Sequence, residues 1–229
     1  MSKGIFITAT GTDIGKTYIT ALLVKKLRDD GLNAGYYKPA LSGAEHINGE
    51  WVPGDCSYVA KTAGLEVPAR SLTSYMYRTA VSPHLAAQIE QHPIESGVIL
   101  ADFIRFTKMY DYLTVEGCGG IVCPLRLDDK LLMQTDIIKL LQLDVLIVAP
   151  SGLGSINSTV VTVHYAQSQG LTVKGIILNH FDTASYLHRD NKACIERLLK
   201  LPVIACVGDH AGNVTLDTAA LCGLYKEVF

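Results

Sequence analysis

The stretch GIFITATGTDIGKT, residues 4–17, decides the fold. Its first part, GIFITAT (4–10), is a short apolar run of the kind that makes a buried strand. Its last three residues, Gly15-Lys16-Thr17, open a stretch (15–31) in which Ile19, Leu22, Leu23 and Leu27 recur at helical spacing. Cationic residues come late in that stretch and Gly31 supplies a stop. A strand, a turn of glycine and small polar residues, then Gly-Lys-Thr at a helix start is the setting of a phosphate-binding loop. Unpaired N–H groups at the helix start face the anion, and the helix dipole favours negative charge there. Gly15 lets the backbone come close, Lys16 can neutralise terminal phosphates, and the Thr17 hydroxyl can reach Mg²⁺. The strict pattern G-x-x-x-x-G-K-[ST] would put glycine at position 10, where this chain has Thr10. The plain alternative is a helix start with a solvated lysine. The strand and polar turn in front favour the nucleotide.

Outward from this loop the same alternation continues. Strand candidates are 33–38, ended by Pro39, then 110–117, 144–150, 173–179 and 202–208. Helical patterns fall near 55–64, 82–91, 95–108, 133–142, 155–169, 185–200 and 215–227. Near-continuous apolar strands separated by helices predict an α/β domain, 1–229, with one doubly wound, mostly parallel sheet covered on both faces, like the P-loop NTPases. Ligands in such folds bind at the carboxyl ends of the strands. The segment LSGAEHINGEWVPGD (41–55) reads as the longest loop, and long loops in compact domains are often functional.

Composition narrows the class. The chain has 229 residues, 48% of them hydrophobic and 18% charged, with a net charge of −2. That suits a packed globular protein and gives no basic block for nucleic acid or an acidic membrane surface. No run approaches the ~18 apolar residues of a membrane span. Six scattered cysteines form no C-x-x-C pair, and the N-terminus lacks a secretion signal, so a cytoplasmic protein is expected. His84, His180 and His210 have no metal spacing and read as structural.

Chemistry-bearing residues gather at predicted strand ends. Glu116 closes the strand YLTV and precedes GCGG, where an acid beside a phosphate loop can hold Mg²⁺ directly or through water. Asp111 begins that strand and lies at the wrong edge. Asp55 reads either as a helix N-cap or as a second Mg²⁺ carboxylate. Lys38, kept extended by Pro39, can serve an anionic substrate or snorkel at the surface.

Together these pieces resemble the dethiobiotin synthetase family. The matching residues are TATGTDIGKT (8–17), KPALSG (38–43), Asp55 in GDCSYVA, SPHLAA (82–87), EGCGG (116–120), GLGSIN (152–157) and ILN (177–179). The family loop carries the same longer spacing, with glycine at the position of Ala9 here. The resemblance implies an ATP- and Mg²⁺-dependent ring closure. 7,8-Diaminopelargonic acid takes up CO₂ to give a carbamate, ATP phosphorylates it, and the second amine closes a cyclic urea. It implies a catalytic role for Thr12, Lys16 and Lys38, and a metal held by Thr17, Asp55 and Glu116. Nucleotide contacts would come from Asp13, Ile14, Gly15, Lys16, Thr17 and Tyr18, from Gly117, Cys118 and Gly119, and from Asn179 at the adenine edge. The substrate would meet Ser42. The family is dimeric, and Ser155 and Asn157, at a helix start near the interface, would help hold the substrate carboxylate; Ser155 reads equally as a simple N-cap. Past residue 200 the pattern departs: Ala205 and Cys206 stand where the family has the Gly and Glu of a segment closing on adenine.

Two rivals remain. A nucleotide-switch ATPase of the partitioning or septum-positioning type would place an extra lysine near the start of the loop, and residues 10–14 hold none. An amidation enzyme of corrin synthesis would need an added glutaminase domain.

Overall fold

The computed structural model describes residues 1–228. In chain order the elements are β1 (Lys3–Ala9), α1 (Lys16–Asp29), β2 (Ala34–Leu41), β3 (Glu45–Ile47), β4 (Glu50–Val52) and α2 (Gly54–Ala63). There follow β5 (Thr73–Met76), α3 (Pro83–Ile89), α4 (Ser96–Thr107), β6 (Tyr112–Glu116), β7 (Pro124–Leu127), β8 (Leu131–Met133) and α5 (Gln134–Leu140). The last are β9 (Val145–Pro150), α6 (Ser155–Ser168), β10 (Val173–Asn179), α7 (Tyr186–Leu199), β11 (Val203–Val207), α8 (Thr218–Cys222) and β12 (Lys226–Glu227).

The main sheet runs β11-β10-β9-β1-β6-β2-β5, with every neighbouring pair parallel. Alternate residues of β1 serve opposite layers, as a strand's period of two requires. Ile5, Ile7 and Ala9 pack with Ile19, Leu22, Leu23 and Leu27 of α1, whereas Phe6 joins Phe103, Ile137 and Val163 on the other face. Both faces are therefore covered, and the doubly wound expectation holds. From β1 the chain crosses over β6 to reach β2, then later returns to build β9, β10 and β11 on the opposite side. That reversal opens a crevice at the carboxyl end of β1, where the phosphate loop begins.

Three expectations are corrected. Pro39 does not end the second strand. β2 continues to Leu41, because from Lys38 onward it pairs with β5 (Lys38 opposite Thr73, Ala40 opposite Tyr75), while β6 has already ended at Glu116. A proline at that step interrupts no ladder bond to β6. The segment 41–55 is not all loop: β3 and β4 form an antiparallel hairpin turning on Asn48 (φ 50°) and Gly49 (φ 87°), the paired positive φ values of a type I′ turn. The helix expected at 215–227 shortens to α8, after which buried Tyr225 leads into β12, antiparallel to the start of β1.

Candidate active site

The loop from β1 to α1 is held by its backbone. Thr10 N donates to Val148 O at 3.1 Å, Asp13 sits at φ 57° and Gly15 at φ 85°. No side chain caps the start of α1, so its first N–H groups remain available to an anion. A Cβ on Gly15 would collide with the Asn179 amide, which crosses from the end of β10 to donate from Nδ2 to Ile14 O at 2.9 Å. Position 15 thus needs glycine twice, for its φ and for that close approach.

Beside the loop, polar side chains from four elements meet. Glu116, at the end of β6, is fully buried. Its Oε1 accepts from Thr17 Oγ1 of α1 at 2.6 Å and from Lys38 Nζ of β2 at 2.8 Å, and its Oε2 accepts from Tyr36 Oη at 2.9 Å. Lys38 Nζ also lies 2.6 Å from Asp55 Oδ2 of α2. Register explains the convergence: Tyr37 stands opposite Val115, so Lys38 and Glu116 arrive together at the sheet's edge. Asp55 is the second residue of α2 and caps nothing; Pro53 holds the cap position. The N-cap reading of Asp55 is corrected by that position, and its carboxylate pairs with Lys38 instead.

Of this cluster Thr17, Lys38 and Asp55 line a cavity of about 480 Å³, with Thr12, Asp13, Gly15 and Lys16 also on the loop side. Ser42, Cys118 and Gly119 join Lys38 and Asp55 on the other side. A second cavity of about 670 Å³ shares Thr12, Asp13, Ser42, Cys118 and Gly119 and extends to Ser82 and Pro83. A phosphate seat and a neighbouring substrate-sized space are therefore contiguous.

With this geometry in view, the comparisons are decisive. The chain is 51% identical over 206 residues to the ATP-dependent dethiobiotin synthetase BioD of Clostridium botulinum strain Eklund 17B / Type B, covering 90% of this chain and 91% of that one. It is 44% identical over 228 residues to the same protein of strain Okra / Type B1, covering 100% of both. The chain belongs to the ATP-dependent dethiobiotin synthetase family. A family described as an AAA domain also matches residues 3–211 of this dethiobiotin synthetase family member. Its fold resembles a ParA family ATPase from Chlorobium tepidum TLS (16% identity, 97% of this chain and 88% of that one, TM-score 0.56). It also resembles the MinC:MinD cell division protein complex of Aquifex aeolicus (16% identity, 91% and 82%, TM-score 0.55). At such identities the likeness is one of fold alone.

In this dethiobiotin synthetase family member, burial and then the nearby Lys38 charge lower the pKa of Lys16, which is 8% exposed. Burial works against the Lys38 charge too, but the Glu116 and Asp55 carboxylates outweigh it and hold that ammonium well above the usual lysine range. For Asp55, burial is likewise outweighed by Lys38, and its carboxyl titrates below the ordinary range. Burial pushes the Cys118 thiol up, against the pull of Lys38 and Lys16, so it stays protonated.

Among the described residues no three His, Cys, Asp or Glu side chains form a metal cage. Asp55 and Glu116 instead share one cation, Lys38, with the Thr17 hydroxyl against the same Glu116 oxygen. Two carboxylates and a hydroxyl fit Mg²⁺, which keeps waters and phosphate oxygens in its shell rather than filling an all-protein cage.

The remaining predicted residues fall less evenly. Asn179 is 1% exposed, and its Oδ1 has no hydrogen-bond partner among the described residues. Tyr18 reaches the segment that follows β11, its Oη donating to Ala211 O at 2.7 Å. Asn157 faces a cavity of about 420 Å³ that it shares with Thr10, Gly11 and Thr12. Ser155 is fully buried and is not the cap of α6; Gly154, at φ 88°, is. Ala205 and Cys206 lie within β11, and Gly208 and Asp209 are the residues that follow the strand at the ligand edge, with Asp209 paired to His180.

Gln134 was not visible in the sequence. Its Oε1 accepts from Cys118 N at 2.6 Å, and its Nε2 donates to Gly120 O at 3.1 Å and Thr8 Oγ1 at 3.3 Å. It fixes the glycine turn that follows Glu116. A Cβ on Gly117 would run into it. No spacing signal links a glutamine at a helix start to a turn sixteen residues earlier.

Proposed function

We infer that the protein is an ATP-dependent dethiobiotin synthetase, closing 7,8-diaminopelargonic acid and CO₂ into the cyclic urea of dethiobiotin with release of ADP and phosphate. The near full-length identity to dethiobiotin synthetases carries this reading. One substrate amine attacks CO₂ and loses a proton, giving a carbamate. A carbamate oxygen attacks the γ-phosphorus and ADP leaves. The second amine attacks the carbonyl carbon of the mixed anhydride, phosphate departs, and the ring is closed.

Carbamate and triphosphate are both anions and repel one another. Lys16 and Lys38 flank the phosphate seat and offset that repulsion, which is where most of the rate of a phosphoryl transfer arises. Thr12 and Ser42 supply hydroxyls at the joined cavities to orient carbamate and substrate. Thr17, Asp55 and Glu116 would hold Mg²⁺, which supplies charge neutralisation between the phosphates. Asn179 offers its free Oδ1 to the adenine amino group, and backbone around Gly117–Gly119 passes beside the ligand.

We further propose one folded domain spanning 1–229, working as a homodimer in the cytoplasm. All six cysteines are free, which suits a reducing compartment, and no described helix is long and apolar enough to cross a membrane. Leu153, 92% exposed in the turn before α6, and the exposed Val161 on that helix offer apolar surface for a second copy, beside the cavity that Asn157 lines.

The test is mass-spectrometric detection of dethiobiotin from protein, diamine, bicarbonate, Mg²⁺ and ATP, each omitted in turn. Product is expected only in the complete mixture. Vigorous ATP hydrolysis without the diamine, and no urea, would point to a nucleotide switch instead.

A further inference from the structure

The Glu116 carboxylate cannot choose its own orientation. It is fully buried and accepts three hydrogen bonds, from Thr17 and Lys38 at Oε1 and from Tyr36 at Oε2. Two of these donors belong to the chemistry and must rearrange when phosphates and a divalent cation arrive. The third does not. Tyr36 sits two residues before Lys38 on β2, on the same face, with register Tyr36 opposite Thr114. Its ring is 0% exposed and belongs to the core cluster that also holds Ala21 and Val24 of α1 and Cys56 and Val59 of α2. A rigid phenol held in that packing fixes Oε2, while Oε1 stays with Thr17 and Lys38, which line the cavity.

We propose that Tyr36 is a positioning residue for the metal-binding carboxylate, setting the plane of Glu116 so that one oxygen is presented to Mg²⁺ and the other is kept out of its shell. Carboxylates that ligate metals depend on such outer partners for orientation. Tyr36 does not line the phosphate cavity, and its hydrogen bond into the charged cluster goes to Glu116. The proposal rests on the assignment of Glu116 as a Mg²⁺ ligand.

The experiment is a cycle read by calorimetric ATP binding with and without Mg²⁺, which requires no turnover. The variants are Tyr36→Phe, Glu116→Gln and the two combined, each checked by thermal melting. Mg²⁺ should tighten ATP binding in the parent protein. Tyr36→Phe should cut that tightening by about 10-fold, the scale seen when a partner behind a metal ligand is lost, while metal-free ATP affinity stays within about 2-fold. In the Glu116→Gln background, Tyr36→Phe should change nothing further. An unaltered Mg²⁺ effect in Tyr36→Phe, or an equal loss in both backgrounds, overturns the positioning role. If Glu116→Gln itself leaves the Mg²⁺ effect intact, the ligand assignment fails instead, and the two failures are distinct. Tyr36→Met, which fills the ring's space without a donor, carries the same cycle should the phenylalanine form not fold.

Discussion

Lys38 separates two acids that would otherwise face each other, at 2.6 Å from Asp55 and 2.8 Å from Glu116. Its removal has a consequence in acid that its charge alone would not suggest. The Asp55 carboxyl titrates below its ordinary value of 3.8, so the folded protein binds fewer protons than the unfolded chain in that range. Stability from this source is full above the ordinary value and is lost as pH falls through the depressed one. Lys38→Met should flatten that acid limb, giving a smaller stability difference between pH 7 and pH 3.5 in urea unfolding than the parent shows; an unchanged difference would contradict the pairing. Lys16→Ala should leave the fold intact and slow turnover on the order of 10²-fold or more, because it removes transition-state charge stabilisation. Steady-state kinetics on a variant with parental melting behaviour checks this, and near-normal turnover would refute the site. Lys16 and Thr17 were legible from the strand-turn-helix setting, and Glu116 from its place at the end of a buried strand before a glycine turn. The partner of Asp55 was not, because an acid at a helix start has a local use as well as a distant one, and only tertiary packing chooses between them.

At the scale of elements, β2 carries most of the burden. It begins beside β6 and finishes beside β5, and the change of neighbour at Lys38 brings that residue to the open edge. Gly35 near its start lets the Tyr110 ring lie flat against the backbone, where any Cβ would intrude. Gly35→Ala should therefore destabilise the protein by about 1–3 kcal/mol, the usual cost of overpacking a filled core, measured by chemical denaturation. A neutral effect would mean that Tyr110 moves freely. The sequence pattern placed six strands of the main sheet and its helices but missed β5, whose four residues alternate buried with half-buried and carry no continuous apolar run. The β3–β4 hairpin went unread although Asn48-Gly49 is a strong turn signal, since its strands are exposed and show no hydrophobic alternation.

For the whole molecule, the alternation of apolar strands and helices made the ligand edge of the sheet predictable before any side chain was placed, and family resemblance then supplied the chemistry. Quaternary structure was not legible in the same way, because an exposed leucine has no period to reveal its purpose. Under the proposed homodimer, Leu153→Asp should shift the protein from dimer to monomer in sedimentation and weaken diamine use while leaving ATP affinity unchanged; a variant that remains dimeric removes the turn before α6 from the interface. One cross-link within the molecule reaches further. The Asn179 amide that would greet the base is also the brace over Ile14, packed against Gly15 at the threshold of the phosphate seat. Under that role, the two ends of a nucleotide are read by a single strut. A triphosphate bearing an ill-fitting base would tug on the cradle for its own tail, so poor fit would surface as sluggish catalysis as well as brief residence.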